Sequence, residues 1–181
     1  MAMTKTMARK VFLVGFMGCG KSSVGRRLAA TLKWDFVDTD KEIERLTGKS
    51  VAEIFATQGE ERFRELEWQT VEAVISSERD TVVALGGGTP CRDGAMERLS
   101  ETGRTVYLKS SPARLVARMS ESGRARRPKI AGMNDAQLAA YIEKTLPERE
   151  KYYNKANFVV DCDALGDAGL ADRLASIMRN I

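Results

Sequence analysis

The sequence predicts an α/β fold of three layers, in which helices cover both faces of a five-stranded parallel sheet. Short apolar runs alternate along the chain with longer stretches whose apolar residues recur at three- and four-residue steps. Strands that are separated by helices pair in parallel, because each connection must cross over the sheet. The chain has 181 residues and 43% apolar content, enough for one core, so we expect a single domain over residues 1–181.

The individual elements follow from these two periodicities. Apolar runs predict strands at 11–14, 36–37, 81–85, 105–108 and 158–160. Helical spacing predicts helices at 21–32, 59–77, 92–101, 111–119, 134–151 and 168–179. In such a sheet a ligand binds beyond the carboxyl ends of the strands, so functional residues are expected in the loops that follow the strands.

Two segments interrupt the alternation of strands and helices. Residues 38–63 contain weakly helical pieces at 43–46 and 51–55, separated by Gly48 and Gly59. Residues 123–132 have glycine at both ends and very little to bury.

The first predicted strand runs directly into a glycine-rich loop. Residues 15–22 read Gly-Phe-Met-Gly-Cys-Gly-Lys-Ser, which fits the phosphate-binding pattern G-x-x-x-x-G-K-[ST]. Backbone N–H groups of such a loop and the N-terminus of the next helix converge on an anion; Lys21 then reaches the β/γ-phosphates and Ser22 a Mg²⁺ ion. The alternative is a turn that binds nothing, which the flanking strand and helix disfavour. The ATP contacts expected here are Gly15, Gly18, Cys19, Gly20, Lys21, Ser22 and Ser23.

Two aspartates, Asp38 and Asp40, follow the second predicted strand. The chain has no histidine, so a general base must be a carboxylate, a perturbed lysine or a tyrosine. Residues two apart on extended backbone point the same way, so we expect Asp38 near Mg²⁺, through water, and Asp40 further out at the acceptor hydroxyl. Either aspartate could instead cap the helix that follows.

A run of three glycines, Gly86, Gly87 and Gly88, follows the third predicted strand. Glycines at the carboxyl end of a buried strand let backbone amides approach a ligand closely. A flexible turn is the alternative, although one or two glycines would suffice for a turn.

Several arginines stand where an anion would be held, because guanidinium groups bind carboxylates and phosphates bidentately. The candidates are Arg64, Arg127 and Arg149, although each could be a solvated surface charge. The basic run from Arg114 to Lys129 could mark a nucleic-acid surface. It contains no aromatic residue to stack on bases, which favours a lid that closes over the ATP phosphates.

Composition narrows the class of protein. The net charge of +4 suits an enzyme of polyanionic substrates, although charge alone does not exclude nucleic acid. The three cysteines show no C-x-x-C spacing, so neither a disulfide framework nor a zinc site is indicated, and we expect a cytoplasmic protein. The first ten residues lack the apolar core of a signal peptide, and no run reaches the ~20 apolar residues of a membrane span.

Taken together, these motifs resemble the shikimate kinase family. In the family's order, the shared motifs are the phosphate-binding loop, Phe-Val-Asp-Thr-Asp at 36–40, Ile-Phe at 54–55, Gly-Glu at 59–60, Phe-Arg at 63–64, Gly-Gly-Gly-Thr at 86–89 and Arg-Pro at 127–128. The resemblance implies a fold like that of nucleoside monophosphate kinases, with a substrate-binding region at about 38–66 and a mobile lid at about 120–133. It implies ATP-dependent phosphorylation of the 3-hydroxyl of shikimate, giving shikimate 3-phosphate and ADP, in aromatic amino-acid biosynthesis.

The resemblance also implies a role for each matched residue. Asp40 would act as the base, Asp38 would order the water shell of Mg²⁺, and Lys21 and Arg127 would neutralise the phosphates. Arg118 resembles the arginine that stacks on adenine. The residues implied at shikimate are Asp40, Arg64, Arg149, Gly86, Gly87, Gly88, Phe55 and Phe63. For the two phenylalanines an ordinary core role is at least as compatible with the sequence.

The chain departs from the family pattern in the lid, where Lys129 stands in place of the usual aliphatic residue after Arg127-Pro128. Two other functions are compatible with parts of the sequence: a related small-molecule kinase such as gluconokinase, and a nucleotide-regulated nucleic-acid-binding protein. The partners we expect are ATP and shikimate, with Mg²⁺ as cofactor and no nucleic acid or membrane, and we expect a monomer.

Overall fold

Five parallel strands form the centre of the protein in the computed structural model, which describes residues 8–119 and 121–179. They are β1 (Lys10–Val14), β2 (Asp35–Asp38), β3 (Thr81–Ala84), β4 (Arg104–Lys109) and β5 (Phe158–Asp161). Their order across the sheet is β2-β3-β1-β4-β5, and every neighbouring pair is parallel. The five predicted strands are confirmed, each to within one residue at either end.

Helices connect the strands and complete the three layers that the sequence predicts. In the described residues they are α1 (Lys21–Leu32), α2 (Thr39–Thr47), α3 (Val51–Ser76), α4 (Ala95–Thr102), α5 (Pro112–Ala117), α6 (Glu121–Ala125), α7 (Asp135–Tyr153) and α8 (Asp167–Arg179). Helix α1 packs against β3 and α8, α4 packs against β4, and α5 packs against α7. Within the described ranges, no helix combines the length and the apolar character that a membrane span requires.

The segment after β2 is helical, with two breaks at the glycines noted in the sequence. Helix α2 ends at Gly48, whose φ of 67° is left-handed, and α3 bends at Gly59, where φ is 83° and ψ is 169°. A capping box between Ser50 and Glu53 starts α3. The weak helical pieces at 43–46 and 51–55 are therefore parts of α2 and of the first arm of α3.

Two hydrophobic clusters hold the described residues together. The main core contains the central strands, where Phe12, Leu13 and Val83 are fully buried, as expected for strands covered on both faces. A second, smaller cluster joins α2 to α3 through Ile43, Ile54 and Phe63. This cluster lies within the segment at about 38–66, which therefore has an apolar centre of its own.

The lid is anchored more firmly than its composition indicates. Ile130 is fully buried in the main core, and Arg124 is 7% exposed. The Arg124 guanidinium donates hydrogen bonds to the carbonyl of Met119 at 3.2 Å, to that of Met133 at 3.0 Å, and to Asp135. Most of residues 123–132 are exposed, in keeping with the little that the segment has to bury, and one apolar side chain and one guanidinium anchor it. Ser120, within the expected lid, lies outside the described residues.

Candidate active site

The loop between β1 and α1 has the geometry of a phosphate-binding loop. Its Gly15, Gly18 and Gly20 have φ angles of 145°, 84° and 104°, which only glycine adopts without strain. Lys21 is 9% exposed, and its ammonium group donates to the carbonyls of Gly15 at 2.7 Å and Phe16 at 3.0 Å. The loop thus holds a cation beside the N-terminus of α1, an arrangement suited to an anion.

The two other loop residues expected at ATP differ in exposure. Cys19 is fully buried, and its amide donates to the carbonyl of Phe16 at 3.2 Å. Ser23 is partly buried in the first turn of α1.

Asp38, at the end of β2, lies directly beside the loop. Its Oδ2 accepts a hydrogen bond from Ser22 Oγ at 2.5 Å, and its Oδ1 accepts one from the amide of Lys41 at 3.3 Å. The second bond makes Asp38 the N-cap of α2. The Asp38 side chain therefore both caps α2 and lies beside Ser22.

Asp40 does not stand on extended backbone, so that premise of the sequence analysis was wrong. Helix α2 begins at Thr39, immediately after β2, which puts Asp40 in the first helical turn. The buried hydroxyl of Thr39, which the sequence analysis missed, fixes this start. It accepts from the amide of Gly86 at 3.0 Å and lies 3.4 Å from the carbonyl of Ala84 at the end of β3. Asp40 consequently faces the glycine run, with Oδ1 beside Gly86.

The Asp40 carboxylate is enclosed by protein and by other carboxylates. Among the described residues, its Oδ1 is buried and has no hydrogen-bond partner. Burial, with the negative charges of Glu67 and Asp38, raises the pKa of Asp40 to about 6, although Lys21 and Arg127 oppose the rise. A carboxylate with a pKa near 6 can accept a proton at neutral pH and return it readily.

Glu67 is a site residue that the sequence analysis missed. It is 2% exposed, and its Oε1 accepts from Thr89 Oγ1 at 2.7 Å, while its Oε2 accepts from Arg64 Nη1 at 2.5 Å. A signal was present in the sequence, because Glu67 follows Arg64 by three residues and so shares its face of the predicted helix. The buried carboxylate fixes one edge of the Arg64 guanidinium.

The three glycines after β3 leave space for charged side chains, most strictly at Gly86. A Cβ on Gly86 would collide with Glu67 and lie 2.9 Å from Asp40 Oδ1, and a Cβ on Gly88 would lie 2.6 Å from Arg64 Nη1. At Gly87 the corresponding neighbour is Arg149 Nη1, at 3.2 Å. The glycine run therefore lets two carboxylates and two guanidinium groups reach bare backbone.

Arg149 reaches the glycine run from α7. Its guanidinium carbon lies 4.9 Å from the centre of the Phe16 ring, a cation–π contact that orients the side chain. Arg64 and Arg149 thus approach the glycines from α3 and α7, two elements that are far apart in sequence.

Phe55 and Phe63 pack against each other with their ring centres 4.9 Å apart. Phe63 is 4% exposed and belongs to the small cluster of α2 and α3, whereas Phe55 is partly buried at its edge. Both also line the cavity that contains Asp40, so a core role and a wall role coexist.

A single cavity of about 310 Å³ brings most of the expected residues together. Its lining includes Ser22, Asp38, Asp40, Phe55, Phe63, Arg64, Gly86, Gly87, Gly88, Arg127 and Arg149. Arg127 enters from the lid, and its guanidinium donates to the carbonyl of Gly123. The lining therefore combines two phenylalanine rings with several guanidinium groups.

Arg118 lies beside Gly20 of the phosphate-binding loop. Its guanidinium makes two hydrogen bonds of 2.8 Å to the two carboxylate oxygens of Asp167, at the start of α8. A Cβ on Gly20 would lie 3.1 Å from Arg118 Nη2, so the pair adjoins the loop. The hydrogen bond from Arg118 lowers the pKa of Asp167, a partner that the sequence analysis did not identify.

The oxygen donors beside the loop are suited to Mg²⁺ that substrate phosphates and water also coordinate. They are less suited to a metal coordinated by protein side chains alone. Ser22 and Asp38 supply hard oxygen donors, and no group of three or more metal-ligating side chains occurs within residues 8–119 and 121–179. Mg²⁺ is commonly bound by one or two carboxylates together with substrate phosphates and water. This donor set is of that kind.

Comparison with known proteins decides the family. Residues 17–179 match the family model described as shikimate kinase. The chain belongs to the shikimate kinase family. A shikimate kinase from Chlorobaculum parvum is 42% identical over 159 residues, which cover 85% of this chain and 83% of that protein. The resemblance stated from the sequence motifs is thereby confirmed.

Solved structures of the family share the fold closely. The shikimate kinase of Bacteroides thetaiotaomicron has a TM-score of 0.86 at 32% identity, covering 94% of this chain and 98% of that one. The enzyme of Acinetobacter baumannii, solved in complex with shikimate, has a TM-score of 0.82 at 29% identity, covering 96% and 94%. A gluconokinase from Sinorhizobium meliloti, with a TM-score of 0.54 at 18% identity over 96% and 97% of the two chains, shares the fold alone.

The environment of Asp40 predicts that the folded kinase is more stable when the Asp40 side chain carries no charge. The pKa is about 6 in the folded protein and 3.8 ordinarily, so between those values the folded state binds more protons than the unfolded chain. The free energy of unfolding contributed by Asp40 therefore falls as pH rises through that window and is lowest above it. Asp40→Asn should raise the free energy of unfolding near neutral pH by about 1–3 kcal/mol.

Urea denaturation at about pH 4 and about pH 7 measures this difference. The gain should be present at the higher pH and nearly absent at the lower. The exposed Asp35→Asn, at the other end of β2, serves as the control. A loss of stability in Asp40→Asn near neutral pH would contradict the assigned environment.

Proposed function

We propose that this protein is a shikimate kinase, which transfers the γ-phosphoryl group of ATP to the 3-hydroxyl of shikimate. The observation that carries the proposal is the buried Asp40 carboxylate, which shares one cavity with Ser22 of the phosphate-binding loop and with Arg64 and Arg149. A phosphate-binding loop, a carboxylate and two guanidinium groups thus meet at the carboxyl ends of β1, β2 and β3. The shikimate bound by the Acinetobacter baumannii enzyme supports the choice of acceptor.

The acceptor is held by its carboxylate. Shikimate carries one carboxylate and three ring hydroxyls, and the two guanidinium groups beside Gly87 and Gly88 are the cations suited to the carboxylate. Phe55 and Phe63 present an apolar wall to the ring. The hydroxyls then face Asp40 and the glycine run, where the amide of Gly86 already donates to Thr39.

The nucleotide is held by the loop and by residues on either side of it. The loop amides and Lys21 bind the phosphates, and Ser22 and Asp38 hold Mg²⁺, which neutralises phosphate charge when bound. Arg127 supplies a further cation from the lid. Arg118 stacks on adenine, because its in-plane pairing with Asp167 leaves the flat face of the guanidinium available.

Phosphoryl transfer then requires one proton acceptor. The 3-hydroxyl oxygen of shikimate forms a bond to the γ-phosphorus as the bond from that phosphorus to the β–γ bridging oxygen of ATP breaks. The hydroxyl proton passes to Asp40, and ADP leaves with the bridging oxygen. Catalysis is mainly positioning and charge neutralisation, and the closed lid excludes water that would otherwise accept the phosphoryl group.

All of these residues come from one chain. We accordingly propose that the enzyme acts as a monomer in the cytoplasm, where its substrates are small soluble anions, with neither nucleic acid nor membrane as a partner.

ADP release from Mg·ATP is the direct test of the reaction. The purified protein should release ADP when shikimate is present, and release little with gluconate or with no acceptor. Turnover with gluconate, or release that is independent of any acceptor, would retain the phosphate-binding loop and overturn the assigned substrate.

Asp40→Asn should lower kcat by about 10² to 10⁴, the usual contribution of a positioned base. In the wild-type protein, kcat should rise as pH increases through about 6, because only the ionised carboxylate accepts the proton. Steady-state rates with saturating ATP and shikimate measure both effects, with Asp35→Asn as control. A nearly unchanged kcat in Asp40→Asn would show that another group is the base.

Arg64→Ala should raise KM for shikimate by about 10- to 100-fold, in keeping with the loss of charged hydrogen bonds, and change KM for Mg·ATP little. Arg62→Ala is the matched control, because Arg62 stands on the same helix and pairs with Glu65 at 2.8 Å on the surface. Equal losses for the two substrates would argue against a carboxylate-binding role for Arg64.

A further inference from the structure

One carboxylate oxygen connects the lid to the proposed shikimate-binding arginine. Glu60 Oε1 accepts from Lys129 Nζ at 2.6 Å and from Arg64 Nη2 at 3.0 Å. Lys129 and Arg64 both line the cavity that contains Asp40.

The backbone on both sides of this contact is well fixed. Glu60 is the first residue after the bend of α3 at Gly59, one helical turn before Arg64. Lys129 precedes the fully buried Ile130, whose amide donates to the carbonyl of Arg127 at 3.0 Å. The lid therefore presents Lys129 to Glu60 from an anchored turn.

The charges explain what the contact does. Arg64 is held between two glutamates, with Glu67 on Nη1 and Glu60 on Nη2. Without Lys129, the Glu60 carboxylate would compete for the guanidinium and repel an incoming carboxylate. The hydrogen bond from Lys129 lowers the pKa of Glu60, which keeps this carboxylate ionised and paired.

We propose that Lys129 is a positioning residue for shikimate, which acts through Glu60 by neutralising the negative charge that Glu60 places beside Arg64. The affinity for the substrate carboxylate is then set in part by the lid and not by the arginines alone. This inference rests on the proposed binding of shikimate by Arg64.

Kinetics of single and double variants test the inference. Lys129→Met should raise KM for shikimate about three- to fivefold, within the range of exposed ion pairs, with kcat and KM for Mg·ATP unchanged. Lys129→Arg should retain the wild-type KM. In Glu60→Gln, which has no charge to neutralise, adding Lys129→Met should have no further effect on KM.

The control is Lys155→Ala, because Lys155 forms a comparable exposed pair with Glu97 at 2.8 Å away from the cavity. The inference is overturned if Lys129→Met has the same KM as this control. It is also overturned if Lys129→Met raises KM equally with and without Glu60→Gln, since Lys129 would then act on the substrate directly. Failure of the wild-type protein to phosphorylate shikimate would instead overturn the proposed function.

Discussion

The close packing of carboxylates against bare backbone is the constraint on which the site depends. Asp40 and Glu67 both lie against Gly86, where a single added Cβ would collide with them. This contact requires β2 and β3 to be neighbours in parallel, so that the start of α2 and the end of β3 meet at one edge of the sheet. Thr39 accepts a hydrogen bond from the Gly86 amide, which holds the start of α2 against the end of β3. The fold thus concentrates negative charge at this edge of the sheet.

That concentration of charge determines how the surrounding cations are arranged. Arg64 is already paired with Glu67 and Glu60, and Lys129 shares Glu60. A carboxylate bound by Arg64, as we propose, would therefore meet a guanidinium group that is oriented in advance, and less side-chain freedom would be lost on binding. The same crowding leaves Asp40 Oδ1 buried and, among the residues that the structure describes, without a hydrogen bond, which destabilises the folded state. Strain of this kind is typical of active sites, where function and stability compete.

Sequence periodicity predicted the sheet well because buried parallel strands are short, continuous apolar runs. It also placed Lys21, Ser22 and Asp38 correctly at one end of the sheet, since a glycine-rich loop after a strand has few other arrangements. It failed where a side chain is defined by partners distant in sequence. Glu67 looked like one of several helical glutamates, and its burial depends on Thr89, which another part of the chain supplies. The orientation of Asp40 depends on the residue at which α2 begins, and helix propensities do not determine a helix boundary to a single residue.

The lid shows how a segment with little apolar content can still act as a unit. Arg124 bonds to carbonyls at both ends of the segment, Met119 and Met133, so its two ends are held at a fixed separation. Between those ends, Arg127 and Lys129 occupy one turn, stabilised by the Ile130 amide. If the segment moves as the lid that we propose, the two cations move together, Arg127 relative to the phosphates and Lys129 relative to Glu60. In the proposed mechanism, the neutralisation of charge at the phosphates and at Glu60 would then depend on the same segment.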